Sequence, residues 1–80
     1  MTREEVFERL TKVFQETLDD DSIILQETTT ANDVEGWDSY EHINLMVGVE
    51  DEFGIKIPMG KVAHMKNVGE LADLVLESEK

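Results

Sequence analysis

Gly36-Trp37-Asp38-Ser39-Tyr40 runs without a break into Glu41-His42-Ile43-Asn44-Leu45-Met46-Val47-Gly48-Val49-Glu50-Asp51-Glu52-Phe53, a turn followed by an acid-rich amphipathic segment of helix length. Asp38 and Ser39 are both residue types that favour helix N-caps. Glu41 and His42 follow in the first turn, and apolar residues recur at Ile43, Met46, Val49 and Phe53. The spacing predicts a helix from about Ser39 to Phe53, with Ser39 exposed at its start. Gly54, directly after Phe53, is placed for a left-handed helix ending.

Upstream, Val6, Phe7, Leu10, Val13, Phe14 and Leu18 recur at three- and four-residue spacing, while Glu4, Glu5, Glu8, Arg9, Lys12 and Glu16 take the other face. This predicts a first helix over Arg3 to Leu18. Thr2 is its cap, and Glu4 and Glu5 face the positive end of its dipole. Asp19-Asp20-Asp21 ends the pattern, and residues 19–37 read as a loop in which Ile23, Ile24, Leu25 and Val34 anchor the chain to the helices. A loop of this length in a small domain is usually functional or tied down by its own apolar residues.

Downstream, Ile55-Lys56-Ile57-Pro58 is extended, because Pro58 restricts Ile57. Met59 to Met65 predicts a short third helix, weakened by Gly60, with Val62, Ala63 and Met65 as its apolar side. The fourth helix begins near Asn67, with Glu70 in the capping-box position. Val68, Leu71, Ala72 and Val75 form its stripe, Leu74 and Leu76 widen it, and Glu77 to Lys80 fray. The expectation is one all-α domain over residues 1–80: a four-helix bundle with a long first loop and a short third helix.

Composition narrows the function. Nineteen acidic against seven basic residues give a formal charge of −12, which disfavours nucleic acid and anionic lipid and favours basic protein partners. The charge is uneven: residues 1–38 hold eleven acids and three bases, 39–57 four and one, and 58–80 four and three. Cysteine is absent, so any thiol chemistry must be imported on a prosthetic group. No apolar run reaches the roughly 20 residues that span a bilayer, and Met1-Thr2-Arg3-Glu4-Glu5 lacks a signal-peptide pattern. These features predict a soluble cytoplasmic protein without membrane insertion, monomeric through like-charge repulsion.

At roughly 100° per residue from Ser39, Leu45, Val49, His42, Phe53 and Met46 fall within about 240° to 340°, the core arc. Tyr40, Ile43 and Val47 form a second apolar stripe at roughly 40° to 100°, flanked by Asp51, Asn44 and Glu50. An apolar strip rimmed by carboxylates suits a partner that offers basic residues around an apolar pocket.

Asp38-Ser39 with a large apolar residue after it, followed by Ile43 through Phe53-Gly54-Ile55-Lys56-Ile57-Pro58, resembles the carrier-helix region of acyl carrier proteins, and the resemblance covers nearly the whole chain. It implies that Ser39 receives 4′-phosphopantetheine from coenzyme A, transferred by a magnesium-dependent phosphopantetheinyl transferase, with Asp38 helping to present the site. It further implies that an acyl or aminoacyl group is held as a thioester on the arm and delivered to partner enzymes, with no step catalysed by the carrier itself. Partners would be the transferase, an acyl- or aminoacyl-loading ligase, and synthases or transferases with basic patches, docking on Tyr40, Ile43, Asn44, Val47, Glu50 and Asp51.

Two departures point to a specialised pathway, such as polyketide, surface-polysaccharide or aminoacyl-loading systems, rather than housekeeping fatty-acid synthesis. Tyr40 stands where fatty-acid carriers usually have leucine, and Trp37 takes a commonly small position, which puts two bulky rings at the site entrance. Lys56, Lys61, His64 and Lys66 leave residues 54–66 free of acids. Other readings are an unmodified acidic helical adaptor for a basic protein and a small ion-binding protein. Ser39, His42 and Asp38 are too close in sequence for a catalytic triad, and no Gly-x-Ser-x-Gly elbow surrounds Ser39. His42 belongs to packing and hydrogen bonding beside the loop, and His64 to the surface.

Asp19-Asp20-Asp21 lacks the alternating oxygen ligands, mid-loop glycine and closing glutamate of an EF-hand, and Ile23 and Ile24 interrupt it. Calorimetric titration with calcium is therefore expected to show only weak counter-ion uptake. Stoichiometric micromolar binding would revive the ion-binding reading.

Overall fold

The computed structural model describes residues 1–63 and 65–78, with only the backbone of Met59. Four helices follow in order: α1 Arg3–Leu18, α2 Ser39–Phe53, α3 Met59–Ala63 and α4 Val68–Ser78. A short 3-10 turn, Ala31–Asp33, interrupts the long connection between α1 and α2.

Local chemistry sets the helix ends. Thr2 and Glu5 form a complete capping box at the start of α1, and Asp19 closes its other end in the left-handed region at φ 52°. Aspartate tolerates that conformation better than most side chains. Gly54 ends α2 at φ 65°, as its position predicts.

The core gathers the predicted stripes: Val6, Leu10, Val13 and Phe14 from α1, Leu45, Met46 and Val49 from α2, and Val68, Leu71, Ala72 and Val75 from α4. Phe7, Leu18, Phe53, Leu74 and Leu76 pack at its margin. From the connections come Ile23, Leu25, Val34, Trp37 and Ile57. Ile24 departs from expectation, for it is 77% exposed. In an extended stretch successive side chains point to opposite sides, so with Ile23 and Leu25 both in the core, Ile24 between them points outward.

α3 covers Met59–Ala63, within the Met59 to Met65 limit that the sequence sets, and Met65 lies outside the helix. Val62 is buried and Met65 half-buried, but Ala63 is exposed, because a single helical turn offers the core only one face. His64, expected at the surface, lies outside the described residues. Glu77 and Ser78, expected to fray, remain helical, while Glu79 and Lys80 lie outside the described residues.

Two arginines bind the elements together. Arg3 donates to Glu27 (2.5 and 2.6 Å), to Asp73 (2.6 Å) and to the Gly69 carbonyl (3.0 Å), joining α1, the long loop and α4. Arg9 donates to the Glu52 carboxylate (2.8 Å) and backbone carbonyl (2.5 Å) and stacks over Phe53, closing the C-terminal end of α2. Carbonyls near a helix end lack intrahelical partners, so a guanidinium there is favourable.

The long loop also caps α4. The Val68 N–H donates to the Thr29 carbonyl at 2.8 Å and the Gly69 N–H to the Glu27 carbonyl at 2.9 Å. Asn67 caps as predicted, its Oδ1 accepting from the Glu70 N–H at 3.0 Å. These bonds satisfy first-turn donors that would otherwise be orphaned.

Close approach of loop and helix is possible because residue 69 is glycine. A Cβ there would lie 2.7 Å from both the Glu27 carbonyl oxygen and its Oε1. Gly69→Ala gains about 1 kcal/mol of helix propensity yet forces the loop outward. A net loss of about 1–3 kcal/mol is expected, read as a lower urea midpoint. A raised midpoint would mean that the loop yields freely.

Candidate functional site

The site is built where the long loop turns into α2. Gly36 adopts φ 90°, a region open to glycine and strained for most other residues. The chain there reverses so that the Trp37 N–H donates to the Val34 carbonyl (3.2 Å) and the Asp38 N–H to the Gly36 carbonyl (3.2 Å). Trp37 consequently faces inward and Asp38 is left with extended backbone at the helix start.

Of the two residues suited to capping α2, the structure uses Asp38. Its Oδ1 accepts from the Glu41 N–H at 2.8 Å, and its carbonyl accepts from the His42 N–H at 2.8 Å. Ser39 therefore occupies the first helical position, exposed, and its hydroxyl makes no hydrogen bond among the described residues. A hydroxyl engaged in capping is committed to backbone, whereas this one faces solvent.

Trp37 is only 7% exposed, so of the two rings expected at the entrance only Tyr40, 75% exposed, is a surface group. The indole meets Phe14 edge-on at 5.0 Å and lies nearly parallel to the His42 ring, 10° between planes and 5.9 Å between ring centres. Its Nε1–H donates to His42 Nδ1 at 3.0 Å. An indole N–H can only donate, so Nδ1 must be the unprotonated nitrogen. The ring proton then lies on Nε2, on the side where the Val62 backbone favours it.

The Trp37–His42 bond thus ties the end of the loop to the first turn of α2. The core-arc position of His42 places it beside the loop but does not by itself pair it with Trp37. The available signal was a buried indole, which needs an acceptor, and a histidine on the core arc of the helix that follows.

Ser39 also lies at the edge of a cleft of about 340 Å³, lined by Ala31, Trp37, Asp38, Ser39 and His42. On the outer side of α2, Tyr40, Ile43 and Val47 are exposed at 75, 54 and 51%, forming the second apolar stripe. Asp51 and Asn44 beside it are exposed, and Asn44 Nδ2 donates to Glu41 at 2.7 Å. Glu50 is half-buried, and its Oε2 accepts from the Ile57 N–H at 2.8 Å. That carboxylate holds the segment between α2 and α3 as well as flanking the stripe.

Lys61 reaches across to Glu77 of α4 at 3.3 Å. Among the described residues no group of three or more His, Asp or Glu side chains is arranged to hold a metal ion, and no helix is long and apolar enough to cross a membrane.

Residues 8–75 match the family model described as the phosphopantetheine attachment site. An acyl carrier protein of Phenylobacterium zucineum (strain HLK1) is 33% identical over 73 residues, covering 91% of this chain and 92% of the relative. One of Caulobacter vibrioides (strain NA1000 / CB15N) is 32% identical over 73 residues, covering 91% and 94%. The solution NMR structure of a holo acyl carrier protein from Geobacter metallireducens superposes with a TM-score of 0.86 at 44% identity, covering 92% of this chain and 85% of that one. The chain belongs to the acyl carrier protein family, whose prosthetic group is 4′-phosphopantetheine and whose members are carriers rather than catalysts.

The local site fits that group. An exposed serine hydroxyl, without a hydrogen bond among the described residues, stands at the positive end of a 15-residue helix, where an attached phosphate is favoured by the dipole, and open space adjoins it.

The His42 bonds carry a pH consequence. Burial holds its pKa below the ordinary 6.5, against the opposing pull of the Val62 carbonyl. Between the lowered folded value and 6.5 the unfolded chain binds more protons, so stability rises with pH across that window. It is lost as pH falls below about 6.5, since a protonated Nδ1 would confront the Trp37 N–H. His42→Gln offers Trp37 a carbonyl and Val62 an N–H without titrating. Thermal melts between about pH 7.5 and about pH 5.5 should show wild type losing more stability on acidification than this variant. Parallel curves would remove His42 as the cause.

Proposed function

We propose that Ser39 is the attachment point of the 4′-phosphopantetheine arm and that the chain carries an acyl or aminoacyl group between enzymes, catalysing no step itself. The observation that supports this most directly is the division of labour at the start of α2. Asp38 does the capping, and Ser39 is exposed with no hydrogen bond to its hydroxyl among the described residues.

The Ser39 hydroxyl would form the new bond to phosphorus, displacing the adenosine-bisphosphate portion of coenzyme A, with its proton passing to the transferase. Asp38 would present the site by fixing the helix start. When bound, the arm supplies a thiol, which this cysteine-free chain lacks, to hold the carried group as a thioester. Tethering then raises the local concentration of that group at each enzyme the carrier visits.

Tyr40, Ile43 and Val47 with Asn44, Glu50 and Asp51 form the docking face in this reading. Apolar contact gives fit, and the negative field speeds encounter with basic patches on the transferase, a loading ligase, and synthases or transferases. Glu50 contributes less free charge than Asp51, because it is bonded to Ile57.

The wide Tyr40 ring and the acid-free stretch 54–66 favour a specialised pathway in the cytoplasm over housekeeping fatty-acid synthesis. Partners that read an acidic third helix meet Lys61 there instead.

Intact mass after incubation with coenzyme A, magnesium and a broad-specificity phosphopantetheinyl transferase is expected to rise by one phosphopantetheine, and not at all in Ser39→Ala. No rise in folded protein with several transferases would favour the acidic-adaptor reading. On the modified protein, Val47→Glu should lower kcat/KM of the loading enzyme roughly fivefold or more, as loss of an interface contact of about 1 kcal/mol or more would. Fatty-acid ketosynthases should use the wild-type carrier poorly. Normal turnover by them would remove the case for a specialised pathway.

A further inference from the structure

We propose that the cleft beside Ser39 is a preformed seat for the proximal, methyl-bearing segment of the arm, with Trp37 and His42 as its aromatic wall. The inference rests on Ser39 being the attachment point.

The lining of the cleft comes from three places: the 3-10 turn (Ala31), the turn before α2 (Trp37 and Asp38) and the first turn of α2 (Ser39 and His42). It divides chemically into an apolar side of methyl, indole and imidazole and an acidic edge at Asp38. The apolar side cannot relax into the space. Trp37 is fixed by its edge contact with Phe14 and its hydrogen bond to His42 Nδ1, so it is already placed before anything binds and little ordering is required.

The occupant follows from continuity. Ser39 is itself part of the lining, and whatever is attached to its Oγ begins at the rim of the cleft at very high effective concentration. The first group of the arm is an anionic phosphodiester, which the neighbouring Asp38 carboxylate turns toward solvent. The next is a carbon bearing two methyl groups, which is apolar and one short reach away from Ala31 and the aromatic pair. The hydroxyl, amides and thiol follow, and water serves them well.

At about 340 Å³ the cleft is at the small end of ligand pockets, roughly 300–1,000 Å³, and it is open. It therefore suits one segment of the arm, held in fast exchange, while the thiol end remains free to reach an enzyme.

Trp37 is the sole tryptophan, so its indole N–H gives a single NMR resonance that reports on the wall. Isotope-labelled chain is compared before and after modification, with complete conversion verified by intact mass. The expected result is a shifted Trp37 indole resonance, with nuclear Overhauser contacts from the arm methyls to the indole ring and to the Ala31 methyl. Ala31→Glu, on an exposed turn that leaves the core untouched, should abolish the contacts to Trp37 while the modification still forms. If the mass shows full conversion, but the indole resonance is unmoved and the methyls contact neither residue, the seat is overturned and the attachment stands. If folded protein gains no mass, the attachment reading falls and the seat falls with it.

Discussion

Burial of Trp37 is the constraint on which the rest of the site depends. Twenty residues separate α1 from α2 and contain only one short 3-10 turn, so the connection has little secondary structure to define its path. Ile23, Leu25 and Val34 draw it against the helices, and Trp37 ends it with the largest side chain in the protein packed against Phe14. A buried indole requires an acceptor for its N–H, and His42 supplies one. Once that bond is made, the first turn of α2 has one orientation relative to the loop. Asp38 is left as the cap and Ser39 as the exposed residue after it.

Charge is distributed on a similar economy. A chain with nineteen acids and seven bases repels itself, yet its two arginines are placed between elements rather than scattered over the surface. Arg3 ties α1, the loop and α4, and Arg9 ties α1 to the end of α2. The outer face of α2 is left without a nearby cation among these pairs. The same arrangement that joins the helices therefore preserves a negative, partly apolar surface next to Ser39, which supports its reading as a docking face.

The helices were legible because each is amphipathic and punctuated by its own chemistry: Thr2 and Glu5 at the start of α1, Gly54 after α2, Asn67 before α4. The two faces of α2 were legible for the same reason, since 3.6-residue periodicity separates Leu45 and Val49 from Ile43 and Val47 without reference to any other part of the chain. Periodicity could not say which of Ile23, Ile24 and Leu25 would face outward, because a loop has no repeating geometry from which to count. It set only an outer limit for α3, where one turn is too short to show a pattern.

Sequence by itself determined the number and order of the helices, their buried stripes, the position of Ser39 at the start of α2, and the family. These depend on local spacing and on residue types that act within one turn. Only the tertiary structure decided that Asp38 rather than Ser39 is the cap, that Trp37 bonds His42, that Glu50 holds the Ile57 N–H, and that loop carbonyls at Glu27 and Thr29 cap α4. Each of these is a choice among several capable partners. Hydrogen bonding is directional and short-ranged, so the choice is made by which groups the packed core brings within about 3 Å of one another.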